Sequence, residues 1–237
     1  MKIISNEKLI KTRNTAGQVI TISSLVVLAL GLYLSFQDNL ISLALLALIV
    51  GFILSQIGIF MGNRWGKSPR PDEVISASLK GLDDKYSLYH YMTGIPHLLI
   101  GPAGVWNIIP YQQGGTIIFD QKKNRWKQKG GNVYLKLFAQ ESLGRPDLDV
   151  NAYLSDLNKY LKKSAPDSLG EIKPQTLLLF TNEKVILQVE DAQQPAIKPE
   201  KMKDFFRRIV KSDAVDMKLI DELRTHLPTE NIAPKSK

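Results

Sequence analysis

Residues 95–117 read IPHLLIGPAGVWNIIPYQQGGTI, and this stretch decides the fold. Short apolar runs alternate with Gly-Pro and Gly-Gly breaks, the pattern of strand, tight turn, strand, turn and strand. Leu98, Leu99 and Ile100 form one run and residues 105–109 the next, with Gly101-Pro102-Ala103-Gly104 as the hairpin connection. The spacing out to Thr116 leaves room for a third strand. Side chains alternate across a strand, so Trp106 and Ile108 are expected on one face of the second strand, with Val105, Asn107 and Ile109 on the other.

Upstream, the chain changes character. Residues 1–18 read as a basic arm, with Lys2, Lys8, Lys11 and Arg13 against Glu7. Residues 19–36 and 40–61 are two uncharged apolar runs separated by Gln37-Asp38-Asn39. Each is close to the roughly 20 residues that carry a helix across a bilayer core, and a helix satisfies its own backbone hydrogen bonds there. The pair therefore predicts a two-helix transmembrane hairpin. A hairpin buried in a soluble core and a cleaved signal peptide are the competing readings, and the long uncharged second run weighs against both. Arg64, Lys67 and Arg70 follow the second run, and the intervening turn carries only Asp38. Positive flanks stay on the cytoplasmic side, so the expectation is a multi-pass cell-membrane protein with both termini cytoplasmic. Neither run holds an ionisable side chain, which gives no support to transport or proton relay.

Residues 62–70 form a linker. Pro71 suits the first turn of a helix, with Asp72 and Glu73 near its positive end. Residues 86–92 alternate and read as a strand ahead of the quoted stretch. Residues 116–120 and 125–128 read as an added ribbon closed by a turn at 121–124. Lys122, Lys123, Arg125, Lys127 and Lys129 surround Trp126 there. Cations around an aromatic suit single-stranded nucleic acid, anionic lipid or a merely solvated ribbon. Residues 133–139 fit a strand or a short helix. Val150, Tyr153, Leu154, Leu157 and Leu161 recur at helical spacing. Residues 175–181 and 185–189 read as a strand pair turned at Asn182-Glu183-Lys184. Residues 199–209 and 215–223 read as helices, and 228–237 as a disordered tail.

The net charge of +8 invites anionic partners or reflects lysine at a membrane face. The absence of cysteine removes disulfides and thiol chemistry. His90, His97 and His226 are too few and scattered to suggest a zinc site.

Ile95, His97, Gly101, Pro102, Gly104, Val105, Trp106, Gly115 and Ile117 together carry a resemblance to the nuclease-related domain (NERD) family, a branch of the PD-(D/E)xK nuclease-like fold. The resemblance spans most of residues 71–212. It implies an α/β domain, a mixed sheet flanked by helices in the restriction-endonuclease-like manner, preceded here by the hairpin. It also implies where a metal site would lie. Pro96 stands at the position of a metal-binding aspartate, Ile109 at that of the second carboxylate and Tyr111 at that of the lysine. Glu73 matches a helix glutamate of the family, and Asp149 falls nearest a glutamine position. Proline, isoleucine and tyrosine cannot hold a hard divalent cation or orient a hydroxide nucleophile.

The resemblance therefore implies the fold and argues against the activity. The expectation is a membrane-anchored, catalytically inactive domain that binds nucleic acid, anionic lipid or a protein partner, with no cofactor. The competing expectation is a Mg2+-dependent nuclease with ligands moved to Glu73, Asp83, Asp84 or Asp120. Residues 213–237 are set apart as a C-terminal helix and tail.

Overall fold

The computed structural model describes residues 1–131, 142–164 and 173–234. The expectation for residues 133–139 lies outside the described residues. The described chain forms two compact units, Met1–Asn6 with Pro71 onward to Ala233 in one, and Glu7–Arg70 in the other.

The first unit is mixed α/β. A six-stranded sheet has the order β1 (Lys2–Ser5), β2 (Ser87–His90), β3 (His97–Gly101), β4 (Gly104–Tyr111), β7 (Gln175–Phe180), β9 (Ala196–Ile197). β2, β3 and β4 form an antiparallel meander, while β1, β7 and β9 join as parallel neighbours. The turn between β3 and β4 is the one the glycines announce. Gly101 and Gly104 are register partners across it, and Gly104 has φ +97°. A side chain at Gly101 would begin 2.3 Å from the Tyr86 ring, so the close approach excludes any other residue.

β4 is central, as expected, and its alternation sorts the core. Trp106 and Ile108 join Leu88, Leu99, Leu177 and Leu179 beneath α3 (Pro71–Ser78) and α5 (Pro199–Ser212). Trp106 stacks edge-on against Phe205 and Phe206 and donates its Nε1–H to the Ala103 carbonyl at 2.7 Å. Val105, Ile109 and Tyr111 face the other side, which α4 (Pro146–Ser164) and α6 (Met217–Thr225) cover through Val150, Leu157, Ile220 and Leu223. Leucines at 0% exposure on both faces each contribute roughly 1.5–3 kcal/mol of burial. Pro110 is tolerated because β3 pairs only as far as Asn107, leaving Pro110 with β7 alone as neighbour.

A second sheet has the order β6 (Arg125–Lys129), β5 (Thr116–Asp120), β8 (Ile186–Gln188). β5 and β6 form the expected ribbon. Asp120 accepts from the Lys123 amide, and Asn124 takes the left-handed turn position at φ 43°. The pairing expected between residues 175–181 and 185–189 is corrected. β7 runs parallel to β4 and β8 parallel to β5, so the turn at 182–184 carries the chain from one sheet to the other. Asn182 Nδ2 and Thr181 Oγ1 anchor that crossing on the Gln112 and Tyr111 carbonyls.

Two further expectations are corrected at the chain ends. The arm of residues 1–18 is not one segment. Lys2–Ser5 is an edge strand that buries Ile4, and residues from Glu7 onward are already helix. Of the tail expected to be disordered, residues 231 and 232 cap that edge, and residues 235–237 lie outside the described residues. Ser5 N–H donates to Asn231 Oδ1 at 2.8 Å, and Ile232 N–H to the Ser5 carbonyl at 3.1 Å.

The second unit is a helical hairpin of α1 (Glu7–Leu34) and α2 (Ile41–Met61). α1 starts twelve residues before the apolar run, because nothing between Glu7 and Gln18 breaks a helix. Both helices are long and apolar enough to cross a membrane. Only 17% and 11% of their most apolar windows are buried, where a soluble core helix is mostly buried. Apart from Met61 at the end of α2, the buried positions recur every seven residues: Ile10, Gly17, Ser24 and Gly31 on α1, Ala44, Gly51 and Gly58 on α2. Small side chains there let the backbones approach, and packing contacts replace the hydrophobic effect as the force between helices in lipid. Ser24 and Thr21 hydroxyls donate to carbonyls of their own helix.

Candidate functional site

Of the three positions at which the resemblance implies a metal centre, two lie on β4: Ile109 and Tyr111 share one face of the large sheet. The pairing of β3 with β4 ends at Leu98 and Asn107, and Pro96 lies before β3 in the bend of residues 91–96, its carbonyl accepting from the Tyr91 N–H at 2.7 Å. The chemistry around Ile109 and Tyr111 is that of a core. Ile109 and Tyr111 are 5% and 6% exposed and pack with Leu178, Phe180 and Val150. The Tyr111 ring stacks on Phe180 at 5.3 Å between centroids.

Tyr111 reaches Asp149 across the packed face. Its hydroxyl donates to Asp149 Oδ2 at 2.7 Å, from β4 to the first turn of α4. Burial first, and then this bond and the charge of Asp149, push the tyrosine hydroxyl far above its ordinary value. It stays protonated and acts as a donor. One turn away, Arg145 grips Asp147 through two hydrogen bonds and holds that carboxyl below the usual range. Asn107 and its register partner Thr176 lie on the same face, 0% and 5% exposed. Among the described residues nothing bonds to either side-chain amide atom of Asn107 or to the Thr176 hydroxyl.

The four candidate relocated carboxylates are placed apart. Glu73 sits on α3, which packs on the opposite face of the sheet from Ile109 and Tyr111. Asp83 accepts from the Lys85 amide, and Asp84 pairs with the Met1 ammonium at 2.7 Å. Asp120 pairs with Lys127 at 2.6 Å, in the second sheet. Among the described residues, no group of three or more His, Cys, Asp or Glu comes together to hold a metal.

The ribbon is rearranged relative to expectation. Lys122, Lys123, Arg125, Lys127 and Lys129 are exposed or half-exposed, and Arg125, Lys127 and Lys129 share the outer face. Trp126 points the other way. It is 4% exposed, meeting Phe119 edge-on at 5.3 Å with Phe180 beyond. Its expected contact with nucleic acid or lipid is corrected: period-two alternation sends it inward between two outward cations.

The histidines hold what the sequence does not display. His90 and His97 are register partners of β2 and β3, both buried, with Nδ1 atoms 2.8 Å apart. Ser76 Oγ shares a hydrogen bond with His90 Nε2 at 2.9 Å. One Nδ1 carries the hydrogen and the other accepts it, so the chain from α3 through β2 to β3 is polar and directional. Seven residues separate the two histidines, and only the tight return at residues 91–96 makes them neighbours. Comparison with protein-family models, with curated proteins and with solved structures yields no match.

Proposed function

We propose that this chain is a membrane-anchored binding or scaffold module, built on a degenerate nuclease-related (NERD-like) domain that has lost its metal site. The reading is supported by the residues at the positions the resemblance marks. Pro96, Ile109 and Tyr111 stand where it would have two carboxylates and a lysine, Ile109 and Tyr111 are buried in the core, and Tyr111 bonds to Asp149. The order of helix α3, meander β2–β4, helix α4, parallel strand β7 and helix α5 supports the fold side of the reading. A lone Asp149 that already accepts a hydrogen bond is a poor seat for magnesium, which takes several oxygen ligands.

The hairpin is the anchor. The strand before it pairs in register with a strand after it, Lys2 with Ser87 through Ser5 with His90. A segment whose two ends enter one folded unit crosses a bilayer an even number of times. The flanking cations, Lys8, Lys11 and Arg13 before it and Arg64, Lys67 and Arg70 after it, support a cytoplasmic placement of that unit. Both termini are then cytoplasmic.

The test is incubation of the full-length protein in detergent micelles with Mg2+ or Mn2+ and single- or double-stranded DNA or RNA. No cleavage is expected. Cleavage abolished by a chelator, and lost on Glu73→Ala or Asp120→Ala, would establish the relocated nuclease instead.

A further inference from the structure

The outer face of the second sheet combines cations with two aliphatic side chains, Ile186 exposed and Ile118 half-buried. Cross-strand register sets Lys129, Thr116 and Ile186 in one row, and Lys127, Ile118 and Gln188 in the next. Arg125 and Asp120 complete it. Ile186 is 57% exposed although its neighbours Val185 and Leu187 turn inward. Lys122 and Lys123 project from the turn at one end of the ribbon, and Lys184 precedes β8. Six cations thus stand around this face against Asp120 and Glu183, and Asp120 is already taken by Lys127. Among the described residues Lys122, Lys123, Lys129 and Lys184 form no ion pair.

We infer that this face docks on an anionic bilayer surface, with Ile186 and Ile118 entering the headgroup boundary and the cations meeting lipid phosphates. Three considerations select that occupant. Trp126 lies in the core, and among the described residues the outer face carries no aromatic side chain for bases to stack on. Nucleic-acid phosphate would engage the cations but leave both isoleucines in water. A protein partner is disfavoured too, because eight outward side chains fall short of the roughly 800 Å² a stable interface takes from each side. Lysine is also depleted in such interfaces. Aliphatic side chains ringed by lysine and arginine gain from both layers of a charged lipid surface. The inference rests on the anchor reading, since the hairpin is what keeps the face within reach of a bilayer.

The chain has no cysteine, so a single introduced thiol gives a unique probe. Gln188→Cys on the outer face and Lys201→Cys on α5 would carry an environment-sensitive fluorophore. The full-length protein is reconstituted in vesicles of neutral lipid or of neutral lipid with phosphatidylglycerol, each containing a lipid-borne quencher. Quenching at position 188, but not at 201, should rise with anionic lipid and fall with added salt. Lys122→Gln and Lys129→Gln should each weaken the docked state, read from the quenching, roughly fivefold.

Equal quenching at 188 and 201 in both lipids, with the protein resisting carbonate extraction, would overturn the docking and leave the anchor standing. Carbonate extraction of the wild-type chain would overturn both. A response at 188 to a single-stranded oligonucleotide that exceeds the response to anionic lipid would transfer the face to nucleic acid.

Discussion

Tyr111 is where the account can be tested side chain by side chain. Its phenol donates to a half-buried carboxylate, and hydrogen bonds to charged groups are worth about 1.5–3 kcal/mol. Tyr111→Phe should therefore lower stability by about that amount, read as a fall in the thermal midpoint of the full-length protein. Asp149→Leu in the same background should add little. The pH dependence has a definite sign. The folded state raises the tyrosine above its ordinary value of about 10, so its contribution is fully present below pH 10. It is lost as pH rises further, at up to about 1.4 kcal/mol per pH unit. Tyr86 and Tyr89 are raised by burial as well, so alkaline unfolding should become shallower, not vanish, in Tyr111→Phe. The proposed loss of a metal site gives a converse experiment. If the resemblance holds, Pro96→Asp with Ile109→Glu and Tyr111→Lys would restore two carboxylates and the lysine, one carboxylate ahead of β3 and the other on β4, and a folded triple variant should gain Mn2+ binding detectable by electron paramagnetic resonance. A folded variant that binds no manganese would count against the proposed alignment.

Among the elements, the meander was the most legible, because its turns carry Gly-Pro and Gly-Gly and its strands are uninterrupted apolar runs. The crossing of β8 into the second sheet was not, since a three-residue turn between two apolar runs suggests a hairpin whichever partners the runs choose. The choice rests on parallel partners, β4 and β5, more than 60 residues away in sequence. β1 was illegible for a related reason: Lys2–Ser5 is too short to show a period, and its partner lies beyond the hairpin. The candidate site was legible as positions but not as contacts. Asp149 could be placed near a family position, yet its bond to Tyr111 depends on how α4 lies across the sheet. The Ser76–His90–His97 chain depends in the same way on register alone. Ile4, at 2% exposure, gives the edge strand its worth; Ile4→Ala should cost about 2–4 kcal/mol, checked by thermal unfolding. In the hairpin, a side chain at Gly51 would start 2.7 Å from Leu28 Cγ. Gly51→Val should lower hairpin stability by about 1–3 kcal/mol, while Leu46→Val on the exposed side should be neutral in the same detergent-unfolding assay.

For the molecule as a whole, the consequential feature is that its sheet unit is discontinuous in sequence. Residues before the hairpin supply β1, and residues after it supply the remaining strands, with Asn231 and Ile232 closing the edge at Ser5. A fragment beginning at Arg70 would therefore expose β2 and lose the burial of Ile4, and a fragment carrying residues 1–6 by a linker should be the more stable of the two. The same connectivity makes the account's central claim a matter of sidedness. On the proposed topology, two spans return the chain to the side it left, with the turn at Asp38 alone on the other. Single cysteines at Asp38, Lys122 and Lys2 in the cysteine-free chain can be challenged in intact cells with a membrane-impermeant maleimide. The account predicts labelling at position 38 in intact cells, and labelling at positions 2 and 122 only after the membrane is opened. Labelling of position 2 or 122 from outside, or protection of position 38 until permeabilisation, would contradict it.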